Sequence, residues 1–218
     1  LCSKMDTRHI LIEIYSTLGG PYWKEDTNWN TPTPLSSWHG VVVDDNNALL
    51  ELNLEDNNLE GTLPSCLTLC SKLKRLNLRG NKLSGPLPDA IGRCVSLKDL
   101  GLSRNIFTGT IPESIGQCAN LEYLGLSNNR LIDNIPESLG RCVKLREVSL
   151  GHNKLTGSIP ESLGRCVGLA TLSLSDNRLS GELPECIEKW VNLQKLLLDN
   201  NQFNGPLPNS IGKCVNLR

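Results

Sequence analysis

The sequence lacks an excess of charge, long apolar runs and the common catalytic signatures, and each absence removes a class of function. Lys and Arg total 22 against 23 Asp and Glu, a net charge of -1, so no global basic field exists to hold nucleic acid or an acidic membrane. No apolar run approaches the roughly 18 residues of a membrane span, so no membrane contact is expected of this stretch. Nothing at its start reads as a charged-then-apolar leader. The chain opens on Leu1, which fits both a removed targeting segment and a natural start at Met5-Asp6. There is no glycine-rich phosphate loop of either common spacing, no G-x-S-x-G turn and no H-E-x-x-H helix. The three histidines, His9, His39 and His152, are scattered. The carboxylate nearest in sequence for His152 to pair with is Glu147, and a solvated surface histidine is the expectation there. No catalytic residue, no cofactor and no enzyme activity is expected. Disorder is excluded too: hydrophobic residues make up 39% and charged residues 21% of 218 residues, enough to bury a real core.

What is present is repetition. Asn57, Asn81, Asn105, Asn129, Asn153, Asn177 and Asn201 recur every 24 residues without slippage, and Pro64, Pro88, Pro112, Pro136, Pro160, Pro184 and Pro208 keep the same period. Seven units fill residues 49–216. Each contains a stretch such as Leu124-Gly125-Leu126, whose alternation marks a strand with leucines facing in. The Asn that follows can bond backbone groups of adjacent turns that burial would otherwise leave unpaired. Gly61, Gly85, Gly109, Gly157, Gly181 and Gly205 permit the next tight turn. The fourth repeat has Asp133 there, a residue that tolerates left-handed backbone, so strain without a break is expected. Each turn contacts only its neighbours, and a strand spacing of about 4.8 Å gives seven repeats a length of roughly 30 Å.

The run Leu121-Glu122-Tyr123-Leu124-Gly125-Leu126-Ser127-Asn128-Asn129-Arg130-Leu131 matches the leucine-rich repeat pattern. Segments such as Leu155-Thr156-Gly157-Ser158-Ile159-Pro160 resemble its plant-type subclass. The resemblance implies an α/β solenoid: a right-handed superhelix with a parallel concave sheet, a second short strand after the concave one and a helical amino-terminal cap. Residues 1–48 form the expected cap. Ile10, Leu11, Ile14 and Leu18 share one helical face, with Asp6 as N-cap and Gly19-Gly20 as the stop. Trp23, Trp29 and Trp38 then cluster before the first repeat, as in caps of plant, algal and protist repeat proteins. Leu217-Arg218 open an eighth repeat, which points to a longer parent chain. No island interrupts the repeats, so small-hormone sensing is disfavoured.

Cys70, Cys94, Cys118, Cys142, Cys166 and Cys214 share one inward repeat position, with Trp190 in the sixth unit. Buried free thiols are the expectation, because like-oriented side chains in one ladder seldom meet disulfide geometry. Cys66-x-x-x-Cys70 is at best half a metal site, so no metal is expected. Ser36 and Val43 stand where many relatives carry a cap cysteine pair. The chain has nine cysteines, an odd number, and no N-x-S/T sequon. Together these point to a reducing, cytoplasmic place, with a secreted or extracellular one as the alternative.

Function should reside on the outward strand positions, which curvature gathers into a concave surface. Gly101, Ser103, Gly125, Ser127, Ser149, Gly151, Ser173 and Ser175 would floor a shallow trough. The candidate binding residues are Arg75, Arg79, Asp99, Ser103, Arg104, Tyr123, Ser127, Glu147, His152 and Lys195, with Tyr123 as the aromatic anchor. On the convex side, Asp89, Glu113, Glu137, Glu161 and Glu185 precede a basic column by four residues. That spacing implies local pairs worth about 0.3 kcal/mol each if the segments are helical. The expected function is recognition of a protein or peptide ligand, of the kind the family uses in pathogen recognition or signalling. The alternatives are an inhibitor of a secreted hydrolase, as in the polygalacturonase-inhibiting branch, and the sensor part of a larger kinase or GTPase protein.

Overall fold

The computed structural model describes residues 5–218; Cys2, counted above, lies outside them. Asp6 caps the Thr7–Thr17 helix by accepting from the His9 amide, and Ile10, Leu11 and Ile14 turn inward. Gly19 adopts a left-handed φ of 74° that ends the helix. Tyr15 and the three tryptophans then pack as a chain, with ring centroids 4.9 Å apart for Trp23 and Trp29 and 5.1 Å for Trp29 and Trp38. This aromatic wedge covers the first turn of the stack, as the cap resemblance implied.

Val41–Val43 pairs antiparallel with Leu49–Asn53, and every later pairing in the main sheet is parallel. The sheet continues through Arg75–Asn77, Asp99–Gly101, Tyr123–Gly125, Glu147–Ser149, Thr171–Ser173 and Lys195–Leu197, in chain order, each strand reached by a crossover through the rest of its repeat. Its register advances by one repeat per strand, so Glu51 faces Arg75, Asp99 faces Tyr123 and Tyr123 faces Glu147. Second short strands follow, as at Glu60–Thr62, Lys82–Pro86 and Ile106–Thr108. Asp133 occupies its turn at φ 62°, beside glycines such as Gly109 and Gly157 at 73° and 71°, so the fourth repeat is bent like the others and not broken.

The asparagine ladder carries the buried hydrogen bonding. Asn105 donates through Nδ2 to the Leu78 and Leu102 carbonyls at 2.9 and 3.1 Å, and its Oδ1 accepts from the Leu83 amide at 2.9 Å. Asn177 repeats the set with Leu150, Leu174 and Leu155. At the start of the stack Asn57 accepts from the Glu25 amide and donates to the Glu25 carbonyl, which ties the cap to the ladder. A parallel column works through sulfur: the Cys118, Cys142 and Cys214 thiols reach the carbonyls of Ile91, Ile115 and Ile187. Trp190 keeps that function, donating Nε1–H to the Leu163 carbonyl at 3.0 Å.

The convex segments correct one expectation. Asp89–Arg93, Glu137–Arg141 and their equivalents are five-residue 3-10 helices that begin after a proline. Three residues per turn bring positions i and i+3 together, so residues four apart do not meet. The expected pairs within repeats are absent among the described residues, and ion pairs bridge neighbouring repeats instead, as in Lys213–Glu188 at 2.5 Å. A side chain at Gly116 would collide with the Ser138 carbonyl, so glycine here lets successive convex turns stack closely.

Candidate functional site

The concave face divides along its length. Towards the cap it carries a lattice of charge: Arg75 binds Glu51, Arg79 Nη1 binds Glu55 Oε1 at 2.9 Å, and Asn77 Nδ2 donates to Glu55 Oε2 at 3.0 Å. Each bond joins one repeat to the one before, so the 24-residue register that aligns the strands also aligns the opposite charges. Further along, the floor is small and nearly uncharged through Ser149, Gly151, Ser173 and Ser175.

Tyr123 stands at the junction. A side chain at Gly125 would run into the Tyr123 hydroxyl, so glycine two residues on lets the phenol lie down along the sheet. Burial, then Glu147, pushes the phenol above its ordinary value, while Arg79 pulls the other way. Asp99, half-buried beside it, is raised by burial against the pull of Arg75. Glu51, Asn53, Glu55, Arg75, Arg79, Asp99 and Tyr123 line one cleft of about 320 Å³ with Gly101 in its floor.

The fold therefore gathers Arg75, Arg79, Asp99 and Tyr123, with Glu147 adjoining. Ser103 is buried beneath, its Oγ accepting from the Ser127 amide at 3.1 Å, so both serines belong to the floor. Arg104 and His152 sit on the rim in left-handed turns at φ 57° and 55°. His152 pairs through Nδ1 with Asp176 at 3.2 Å and not with Glu147, because the turn aims the ring at the next repeat. Lys195 is exposed two strands beyond Glu147, away from the cleft. Glu51, Glu55, Asn53 and Asn77 were not among the residues singled out, although their place in the same 24-residue columns marks them. No group of three or more His, Cys, Asp or Glu able to hold a metal exists among the described residues.

Such a stack, with an asparagine ladder inside and a concave parallel sheet outside, defines a repeat solenoid. The leucine-rich repeat models match residues 48–70, 72–94, 95–155 and 143–203, and the chain belongs to the leucine-rich repeat family. No curated protein matches it in sequence. Among solved structures it is similar to the ectodomain of the Arabidopsis receptor kinase HAESA in complex with an IDA peptide hormone ligand, at 33% identity and TM-score 0.87 over 96% of this chain and 36% of that one. The PEPR1–AtPEP1 complex is comparably similar, at 32% identity and TM-score 0.87, covering 96% of this chain and 30% of that one. Pollen Receptor Kinase 3 matches at 31% identity and TM-score 0.76 over 85% and 90%. The chain thus spans about a third of the first two receptor chains.

These likenesses correct the expected location. The similar structures include ectodomains of plant receptor kinases, the parts that face outward, and they support a secreted or extracellular place instead of a cytoplasmic one. The cysteine argument failed because the thiols need no reducing surroundings to stay free. Cys94, Cys118, Cys142 and Cys166 are fully buried, and burial pushes Cys118 and Cys142 up to about 12, which leaves almost no thiolate for oxidants to meet. The likeness is to receptor ectodomains and not to kinase domains, which gives the chain a non-enzymatic role. No helix among the described residues is long and apolar enough to cross a membrane.

Proposed function

We propose that this chain is the peptide-sensing part of a receptor, and that the concave face from Glu51 to Lys195 holds an extended peptide. Of the readings set out above, the sensor portion of a larger kinase protein fits best, since the similar chains include receptor kinases and HAESA carries a peptide hormone ligand. The mixed charges of the cleft single out no hydrolase. The observation that carries the reading is the cleft at Tyr123: a half-buried aromatic ring lying over the glycine floor, between the charged lattice on the cap side and Glu147 on the other. A strand rise of about 3.3 Å per residue lets roughly nine extended residues cover the 30 Å of stacked strands. The ring offers such a peptide an anchor, and Asn53 and Asn77 offer it backbone hydrogen bonds.

The test is selection from a displayed library of random linear peptides, with the Tyr123→Ala, Ser127→Arg double variant as the counter-target. Peptides enriched on the unaltered chain should lose affinity for the variant while its circular dichroism stays native. Equal binding to both proteins places recognition elsewhere.

A further inference from the structure

A second surface lies outside the concave cleft, on the side where each convex turn returns to the sheet. The residue after the inward cysteine or Trp190 is apolar in six successive repeats: Val95, Ala119, Val143, Val167, Val191 and Val215. The valines are exposed at 52%, 49%, 56%, 49% and 80%. Single exposed apolar residues are ordinary, but a row with one member every ~4.8 Å is a continuous ridge. The ridge is rigid, because Asn120, Asn192 and Asn216 donate to the carbonyls of Val95, Val167 and Val191 at 3.0, 3.3 and 2.9 Å.

At the fifth repeat the asparagine position holds Gly168. No side chain caps the Val143 carbonyl there, and a Cβ at Gly168 would meet only the Leu145 carbonyl, at 3.8 Å. The result is a notch of about 500 Å³ lined by Val143, Val167 and Ala170 together with Lys144, Arg146 and one carboxylate, Glu122. Charge on this side is one-sided. The linking segments at 71–74, 95–98, 119–122, 143–146, 167–170, 191–194 and 215–218 hold Lys72, Lys74, Lys98, Lys144, Arg146 and Arg218, but only one carboxylate, Glu122. Glu122 pairs with Lys98 and Asp44 with Lys72, while Lys74, Lys144, Arg146 and Arg218 join no ion pair among the described residues.

We propose that this lateral face docks an acidic partner protein, through a segment that seats one large apolar side chain in the Gly168 notch and sets carboxylates against Lys144 and Arg146. A second copy of this chain fits poorly, because ridge-to-ridge contact would bring the two basic rows together. An anionic polysaccharide would neutralise the cations and leave the valines in water.

The probe is a synthetic acidic heptapeptide with one central tryptophan, titrated to millimolar concentration against the chain with methyl-labelled valine. Val143 and Val167 methyl resonances should shift. Gly168→Asn, which fills the notch with the residue that stands there as Asn120, Asn192 and Asn216, and Lys144→Glu with Arg146→Glu should each weaken binding about tenfold with the thermal midpoint unchanged. Three results overturn the proposal: no shift at Val143 and Val167; equal binding of polyglutamate or polygalacturonate, which shows mere charge attraction; or a sedimentation dimer dispersed by Val167→Asp, which assigns the ridge to a second copy.

Discussion

The cap and the repeats meet the same requirement by opposite means. Both bury apolar side chains and must leave no backbone group stranded. In the cap the contacts follow no period: Trp23 Nε1 bonds the Leu18 carbonyl, Trp29 Nε1 bonds the His39 carbonyl, and Arg8 binds the Thr31 and Thr33 carbonyls while lying 5.2 Å from the Trp38 ring centroid. In the repeats a single asparagine set is copied every 24 residues, with the thiol column beside it. The difference teaches where each region is vulnerable. A cap contact has no understudy, whereas a repeat contact has equivalents above and below, so its loss stays within neighbouring turns.

The largest contrast is all-or-none. The cap has no described cysteine, while burial holds Cys94 and Cys166 at about 11 and Cys142 at about 12. Iodoacetamide at mildly alkaline pH should leave the inward column unlabelled in the native chain and label it fully in denaturant. Rapid native labelling would break the picture of a closed stack.

Next in size is Trp29→Ala, which removes the centre of the aromatic chain and should cost about 3–5 kcal/mol in denaturant unfolding. Loss of the cap signal before the repeat signal would show that the two regions unfold separately. Asn105→Ala strands the Leu83 amide, while the Leu78 and Leu102 carbonyls keep Asn81 and Asn129 as donors, and should cost about 2 kcal/mol. Asn177→Ala should cost the same, and a clear inequality would end the equivalence of rungs. Trp190→Phe removes one N–H from the Leu163 carbonyl and should cost about 1 kcal/mol.

The smallest effect is at Asp99. Burial raises its carboxyl in the fold, so the protonated form is favoured there and stability falls as pH rises from the ordinary carboxylate range through the folded value. Asp99→Asn should lift the thermal midpoint slightly at about pH 7 and leave it unchanged at about pH 2, where both side chains are neutral. An equal change at both values would assign the effect to packing.

The repeats were legible because a period carries information from one unit to the next: one asparagine, one glycine and one proline fix the ladder, the turn and the convex start for all seven. Asp133 shows how far this goes, since its left-handed turn follows from column position alone. The cap was legible only where it has a period, in the helix face of Ile10, Leu11 and Ile14. Nothing in the spacing of Trp23, Trp29 and Trp38 specifies the edge-on packing of the first pair or the tilted packing of the second. The convex pairs failed on helix type, whereas His152 is the exposed surface histidine expected, its partner being Asp176 of the next repeat. On the concave face the columns identified neighbours, but not that Tyr123 would lie flat over Gly125. The location was misread because absent cap cysteines and absent sequons carry little information beside thiols that are simply buried.

The most direct test of concave-face recognition is calorimetric titration of the tightest selected peptide into the unaltered chain, the Tyr123→Ala variant and the Gly168→Asn variant. Affinity should fall at least about tenfold for Tyr123→Ala, as for a buried aromatic anchor, and stay unchanged for Gly168→Asn. Unchanged affinity for Tyr123→Ala, with the lateral variant impaired instead, would contradict recognition by the concave face.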